Sequence, residues 1–268
     1  MDRYVIFGNP VAHSRSPLIH SRFAAQMGES IDYQRVFVPL GGLEESARRF
    51  FLSGGRGANV TLPFKIDAYR FAHSRSDRAR AAGAANVLAA REDGIFADNT
   101  DGAGLVADLL RNLGAAITGK RLLLVGAGGA ARGVIGPLLA EAPALLAIAN
   151  RTHARALDLA ERFAGAGPVE ALGLDALGGP YDIVLNATSS STHGEHLALP
   201  DRVLACGVIA YDMAYGEAAR AFLDHARGRG ARVADGLGML VEQAAESWLV
   251  WRGKRPETAS VLAEMRAT

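Results

Sequence analysis

The chain has 268 residues and a formal net charge of +1, long enough for a large core and one or two domains. A charge so near zero gives no electrostatic pull toward nucleic acid or an anionic membrane surface, so neither is expected as a partner. The single cysteine, Cys206, excludes an internal disulfide framework and fits a reducing, cytoplasmic setting; with no catalytic partner nearby in sequence it is expected to be buried and inert. No apolar run approaches the roughly 18 residues a membrane helix needs. The N-terminus, Met1 to Gly8, reads as a strand from its first residues rather than as a signal peptide.

After the strand at residues 4–7 comes a polar loop, Gly8 to Pro17, and a helix to about Met27. Ser16 is placed as N-cap, Pro17 as the first helical residue and Gly28 as the stop. Residues 32–38 alternate in part and read as a strand, and residues 42–52 as an amphipathic helix ended by Gly54-Gly55. A short strand at 57–61 leads to Pro63-Phe64-Lys65, which opens another helix. Residues 86–90 and 95–99 form a hairpin around Arg91-Glu-Asp-Gly94. Residues 101–113 read as a helix stopped by Gly114.

Arg121-Leu-Leu-Leu-Val125 then runs straight into Gly126-Ala-Gly128-Gly129-Ala-Ala131-Arg132. A continuous apolar run is the mark of a buried parallel strand. The spacing Gly-x-Gly-x-x-Ala after it fits a dinucleotide turn: Gly126 for the bend, Gly128 for approach of a pyrophosphate, Ala131 for close helix packing. Any flexible loop can carry such glycines; here the flanking strand and helix supply the context the motif requires. About 20 residues on, where NAD-selective enzymes place an acidic residue on the ribose, the strand 145–149 ends in Asn150-Arg151-Thr152, with Arg155 behind. Guanidinium groups suit a 2′-phosphate, so NADP is the expected cofactor; the plainer reading is a solvated helix start with Thr152 as N-cap. Strands at 182–186, 208–212 and 231–234, helices at 153–163 and 217–227, and two closing helices at 239–251 and 256–265 continue the βα rhythm. The fold class is α/β: an N-terminal mixed α/β substrate domain (residues 1–100, with 237–268 returning to it) and a Rossmann-type doubly wound NADP-binding domain (101–236).

Three polar clusters of the first hundred residues stand out: His13-Ser14-Arg15-Ser16, Asn59-Val-Thr61-Leu-Pro-Phe-Lys65 and Asn99-Thr-Asp101. Singly, each has an ordinary reading as a helix cap or solvated residue. Together with Gly83-Ala-Ala-Asn86, the Gly126 turn, Asn150-Arg-Thr152, Asn186-Ala-Thr188-Ser189, Asp212-Met213-Ala-Tyr215 and Gly236-Leu-Gly238-Met239-Leu-Val-Glu-Gln243, they resemble shikimate dehydrogenase over nearly the whole chain, in order. The resemblance implies NADPH-dependent, reversible reduction of 3-dehydroshikimate to shikimate, a step of aromatic amino-acid biosynthesis on the way to chorismate.

It also implies roles. Lys65 and Asp101 are the catalytic pair. Ser14 and Ser16 take the substrate carboxylate with Tyr215 nearby, and Thr61, Asn86, Asp101 and Gln243 read the ring hydroxyls. Gly126, Gly128, Gly129 and Ala130 face the pyrophosphate; Asn150, Arg151, Thr152 and Arg155 face the 2′-phosphate. Thr188, Ser189, Met213, Gly236 and Met239 lie along the ribose and nicotinamide, although both methionines read equally well as core. The segment Ser190–His196 departs from the family pattern and has a faintly metal-like His193, Glu195 and His196, but ketone reduction with a lysine donor needs no metal, and none is expected. Two rivals are an NAD-using quinate/shikimate dehydrogenase, opposed by Asn150-Arg-Thr and the paired serines, and a non-catalytic NADP sensor, opposed by Lys65 and Asp101. Glutamyl-tRNA reductase is excluded because its nucleophilic cysteine has no counterpart here. The expected assembly is a monomer or homodimer.

Overall fold

The computed structural model describes residues 1–188, 197 and 199–267. The chain divides into two compact units, one of Met1–Gly104 with Leu240–Thr268, the other of Leu105–Met239.

In the first unit the order is β1 (Asp2–Gly8), α1 (Ser16–Met27), β2 (Ile31–Phe37), α2 (Leu43–Leu52), β3 (Gly57–Val60), α3 (Lys65–Phe71), β4 (Ser74–Arg75), α4 (Asp77–Ala82), β5 (Val87–Arg91) and β6 (Gly94–Asp98). The sheet order is β2-β1-β3-β5-β6-β4. β1 is parallel to β2 and β3, whereas β5 runs antiparallel to both β3 and β6. β3 and β6 therefore leave the sheet at the same edge, where β5 enters it. The apolar positions of these strands pack with α2 and α3 in a core containing Val5, Phe7, Leu43, Val60, Phe64, Leu88 and Ile95. Across β3, Gly57 leaves room for the Trp251 indole, which donates to the Leu88 carbonyl at 3.0 Å; an alanine Cβ would stand 2.5 Å from Nε1.

The second unit holds β7 (Arg121–Val125), α6 (Gly129–Ala140), β8 (Leu145–Asn150), α7 (His153–Phe163), β9 (Val169–Gly173), β10 (Ile183–Asn186), β11 (Ile209–Asp212), α8 (Glu217–Gly228) and β12 (Arg232–Asp235). Its order, β12-β11-β10-β7-β8-β9, is parallel throughout. This is the doubly wound arrangement, with its switch point between β7 and β10. One face is covered by α6 and α7 through Val134, Ile135, Leu138, Leu159 and Phe163; the other packs Phe222, Leu223 and Ala226 of α8 with Val203 and Leu204. The chain passes between units within α5 (Asp101–Ala107) and α9 (Leu237–Arg252), and α10 (Ala259–Ala267) follows.

Several expectations need correction. α1 begins at Ser16 with Arg15 in the capping position and no side-chain cap; the Ser16 hydroxyl instead accepts from Ser14 Oγ at 3.2 Å. The helix expected over 101–113 is α-helical only to Ala107 and widens to a π turn over Asp108–Asn112. There Asp108 is fully buried and accepts from the Tyr211 hydroxyl at 2.7 Å. Cys206 is exposed: the core positions of its segment are taken by Val203, Leu204 and Val208, which leaves Cys206 in the turn. β4, α4 and β9 add elements where no strand or helix was expected.

Candidate active site

Because β3 and β6 leave the first sheet together, the segments after them meet around Asn86, the residue before β5. Backbone bonds fix the level: Val60 N donates to the Asn86 carbonyl (2.8 Å), Asn86 N to that of Asp98 (3.1 Å), and Ala85 N to that of Lys65 (2.8 Å). Lys65 opens α3 and Asp101 opens α5, and the Lys65 ammonium donates to Asp101 Oδ2 at 2.5 Å. Both side chains are about nine-tenths buried. At such depth each is the other's ion-pair partner, so the two stand as one unit.

Asn86 Nδ2 lies 2.9 Å from Asp101 Oδ1, 2.9 Å from Thr100 Oγ1 and 3.1 Å from Gln243 Oε1. Its Oδ1 accepts from Thr100 N at 2.7 Å. Gln243, on α9, donates to the Leu240 carbonyl at 2.8 Å. One step further out, Asn59 donates to Ser247 Oγ at 3.0 Å, and Ser247 to the Gln243 carbonyl at 2.9 Å. Asp98 anchors the strand end from behind: it accepts from Asn99 N, Ser76 Oγ and the Arg78 guanidinium. Thr61 directly follows β3, with its N–H on the Phe7 carbonyl. Lys65, Asp101, Asn86 and Gln243 thus form one hydrogen-bonded chain in that order, and Ser14 and Ser16, two residues apart, form a second pair.

His20 lies on α1 one turn after Ser16, fully buried, with neither ring nitrogen in a hydrogen bond. Burial holds its pKa down to about 3, while the nearby Asn59 side chain offsets part of the shift without hydrogen-bond geometry. The unfolded chain, with His20 near 6.5, holds one more proton than the folded chain between that pH and about 3, so acidification across this window removes stability. Between pH 6 and 5 the loss from this group is about 1 kcal/mol. Urea titrations of His20→Phe should show a shallower pH slope by that amount; an unchanged slope would contradict a neutral, buried His20.

In the second unit the carboxyl ends of β7, β8, β10, β11 and β12 share one edge. Gly126 adopts φ +119, and a Cβ there would stand 2.9 Å from the Ala187 carbonyl carbon and oxygen. Gly128 is exposed, with no protein atom within 4 Å of a Cβ built on it. Gly129 and Ala130 begin α6, and Ala131 is fully buried beneath it. At the end of β8, Asn150 Nδ2 donates to the Thr152 carbonyl at 2.9 Å. Thr152 occupies the capping position of α7 but makes no side-chain cap. Arg151 and Arg155 are exposed and form no salt bridge among the described residues.

Asn186, fully buried, donates to Asp212 Oδ2 at 2.8 Å and accepts from Thr188 N and Oγ1 at 3.0 and 2.7 Å. Gly236 packs against the Met213 carbonyl, where a Cβ would collide. Met239 belongs to the core and Met213 packs against it. Tyr215 follows β11 in this unit. Ser189 and the segment Ser190–His196 lie outside the described residues. The ties made by Tyr33, Asn59, Thr100 and Ser247 were not foreseen as part of the site; the cues were Asn59, two residues before Thr61, and Thr100, next to Asp101, both within polar motifs.

A parallel sheet with a glycine turn at its switch point, arginines after its second strand and a buried amine–carboxylate pair in the other unit together define a dinucleotide-dependent oxidoreductase. Three family models match the chain: the shikimate dehydrogenase substrate binding domain over residues 6–88, shikimate/quinate 5-dehydrogenase over 108–196, and the shikimate 5′-dehydrogenase C-terminal domain over 236–266. The NADP(+) shikimate dehydrogenases of Janthinobacterium sp. (strain Marseille) and Alkalilimnicola ehrlichii are each 54% identical to it, across 99% of this chain and 97% and 98% of theirs. Among solved structures, an Ael1 enzyme from Pseudomonas putida is similar with a TM-score of 0.90 and 43% identity, covering 98% of both chains. The Thermus thermophilus shikimate 5-dehydrogenase in complex with NADP(H) and shikimate matches with a TM-score of 0.84 and 29% identity, covering 100% of this chain and 99% of its own. The chain belongs to the shikimate dehydrogenase family.

Proposed function

We propose that the chain catalyses the reversible NADPH-dependent reduction of 3-dehydroshikimate to shikimate, in the cytoplasm, with Lys65 and Asp101 as its catalytic pair. The observation that carries this reading is the buried 2.5 Å contact between Lys65 Nζ and Asp101 Oδ2, bonded to the Asn86 amide and through it to Gln243.

The residues of the second unit fit NADP. Gly128 leaves backbone approachable, the N-terminus of α6 favours pyrophosphate, and Arg151 and Arg155 supply guanidinium groups for a 2′-phosphate. When bound, the cofactor supplies the hydride. As hydride reaches the ring ketone, negative charge grows on its oxygen; the Lys65 ammonium stabilises that charge and delivers the proton, while Asp101 holds the amine in place. In the reverse direction the amine accepts the hydroxyl proton. Ser14 and Ser16 donate to the carboxylate, and Thr61, Asn86, Asp101 and Gln243 pair with the hydroxyls. A site whose buried amides need those partners rejects analogues that lack them.

kcat/KM with NADPH should exceed that with NADH for 3-dehydroshikimate, and Arg151→Ala should lower the ratio about tenfold or more. A ratio near one for the unmodified enzyme would overturn the NADP reading; a ratio untouched by the substitution would remove Arg151 from it.

A further inference from the structure

The edge strand β2 touches the serine loop at two points. Tyr33 and Arg35 are two residues apart and so share a face of the strand. Arg35 donates through Nε and Nη2 to the Ser14 carbonyl at 2.8 and 2.6 Å. The Tyr33 hydroxyl donates to Asn59 Oδ1 at 2.7 Å, and the Ser16 side chain lies near it without a hydrogen bond between the two. The Tyr33 ring is itself held: it stacks on His20 with centroids 4.5 Å apart and planes 13° apart. Ser16 and His20, four residues apart on α1, lie on one helix face, so one face carries both the serine and the support for the tyrosine.

Ser14 Oγ donates to Ser16 Oγ, and Tyr33, whose hydroxyl lies near the Ser16 side chain, donates to Asn59. An arriving carboxylate can only accept, so both serine protons must turn toward it. Ser16 then needs a donor for its freed lone pairs. A tyrosine hydroxyl can supply one by rotating its proton from Asn59 to Ser16, which an aliphatic or phenyl side chain cannot do.

We propose that Tyr33 and Arg35 are positioning residues for carboxylate recognition: Arg35 fixes the Ser14 backbone, and the reversible Tyr33 hydroxyl polarises Ser16 when an anionic substrate group binds. The inference rests on the reading that Ser14 and Ser16 receive the carboxylate of shikimate. It also connects the two ends of the site, because Asn59 continues through Ser247 and Gln243 to Asn86 and the Lys65–Asp101 pair.

The test is steady-state kinetics on the full chain at saturating NADP+, with shikimate and with its analogue bearing a hydroxymethyl group in place of the carboxylate. Tyr33→Phe should raise the shikimate KM about tenfold while kcat stays within about threefold and the NADP+ KM is unmoved. The loss should shrink to less than about twofold with the neutral analogue, a discrimination that a general packing defect would not produce. Arg35→Met, at an exposed position, should raise the shikimate KM by about threefold or more with the same selectivity. The inference is overturned if both variants keep a normal shikimate KM, or if they lose as much with the neutral analogue. Absence of shikimate oxidation by the unsubstituted enzyme would instead overturn the underlying reading, which separates the two failures.

Discussion

Lys65→Met is expected to lower kcat by about 10²–10⁴-fold while the KM for shikimate changes little. The amine is about nine-tenths buried, and its 2.5 Å tie to Asp101 fixes its position before any substrate arrives. Methionine keeps most of the side-chain length and apolar contact but has no proton to give. Its cost to folding is real as well, because Asp101 is left as a buried carboxylate without its cation; removing one partner of such a pair costs about 3–5 kcal/mol. The remaining donor from Asn86, at 2.9 Å, offsets part of this. Activity is therefore to be measured well below the variant's unfolding temperature, with circular dichroism to confirm the fold. A folded variant that keeps kcat within about threefold would remove Lys65 from proton transfer.

A pair of glycine substitutions in the dinucleotide turn should separate architecture from binding. Gly126→Ala forces a residue with a Cβ into φ +119 and brings that Cβ 2.9 Å from the Ala187 carbonyl. Strain and overlap together should cost roughly 2–4 kcal/mol of stability, visible as a lower urea midpoint. Gly128→Ala meets no protein atom within 4 Å, so its stability should change by less than about 1 kcal/mol. On the proposed reading its NADP+ KM should nonetheless rise about tenfold or more, because a pyrophosphate approaching this turn would meet the added methyl. If Gly128→Ala bound NADP+ normally, the turn would not be the pyrophosphate site.

These outcomes also mark which parts of the molecule local sequence can carry. The β7–turn–α6 unit was legible because every determinant lies within a dozen residues: an apolar strand, a residue that must take positive φ, an open glycine and a small residue beneath the helix. Lys65 and Asp101 are different. They are 36 residues apart, and their meeting depends on β5 reversing direction between β3 and β6, so their pairing entered only through resemblance to a family. The supporting ties from Tyr33, Asn59 and Ser247 are less legible still, since each joins residues 26 or more positions apart with no periodic signature. The two-residue β4 and six-residue α4 are too short for periodicity to register. Ser16 shows how local rules fail at a site: a serine before a proline reads as a helix cap, yet its hydroxyl makes no cap and accepts from Ser14 instead.

The most direct measurement is the growth of absorbance at the reduced-nicotinamide band when the purified chain is mixed with shikimate and NADP+. The account predicts steady turnover that needs both compounds and is much slower when NAD+ replaces NADP+. No absorbance change with shikimate and NADP+ would contradict it.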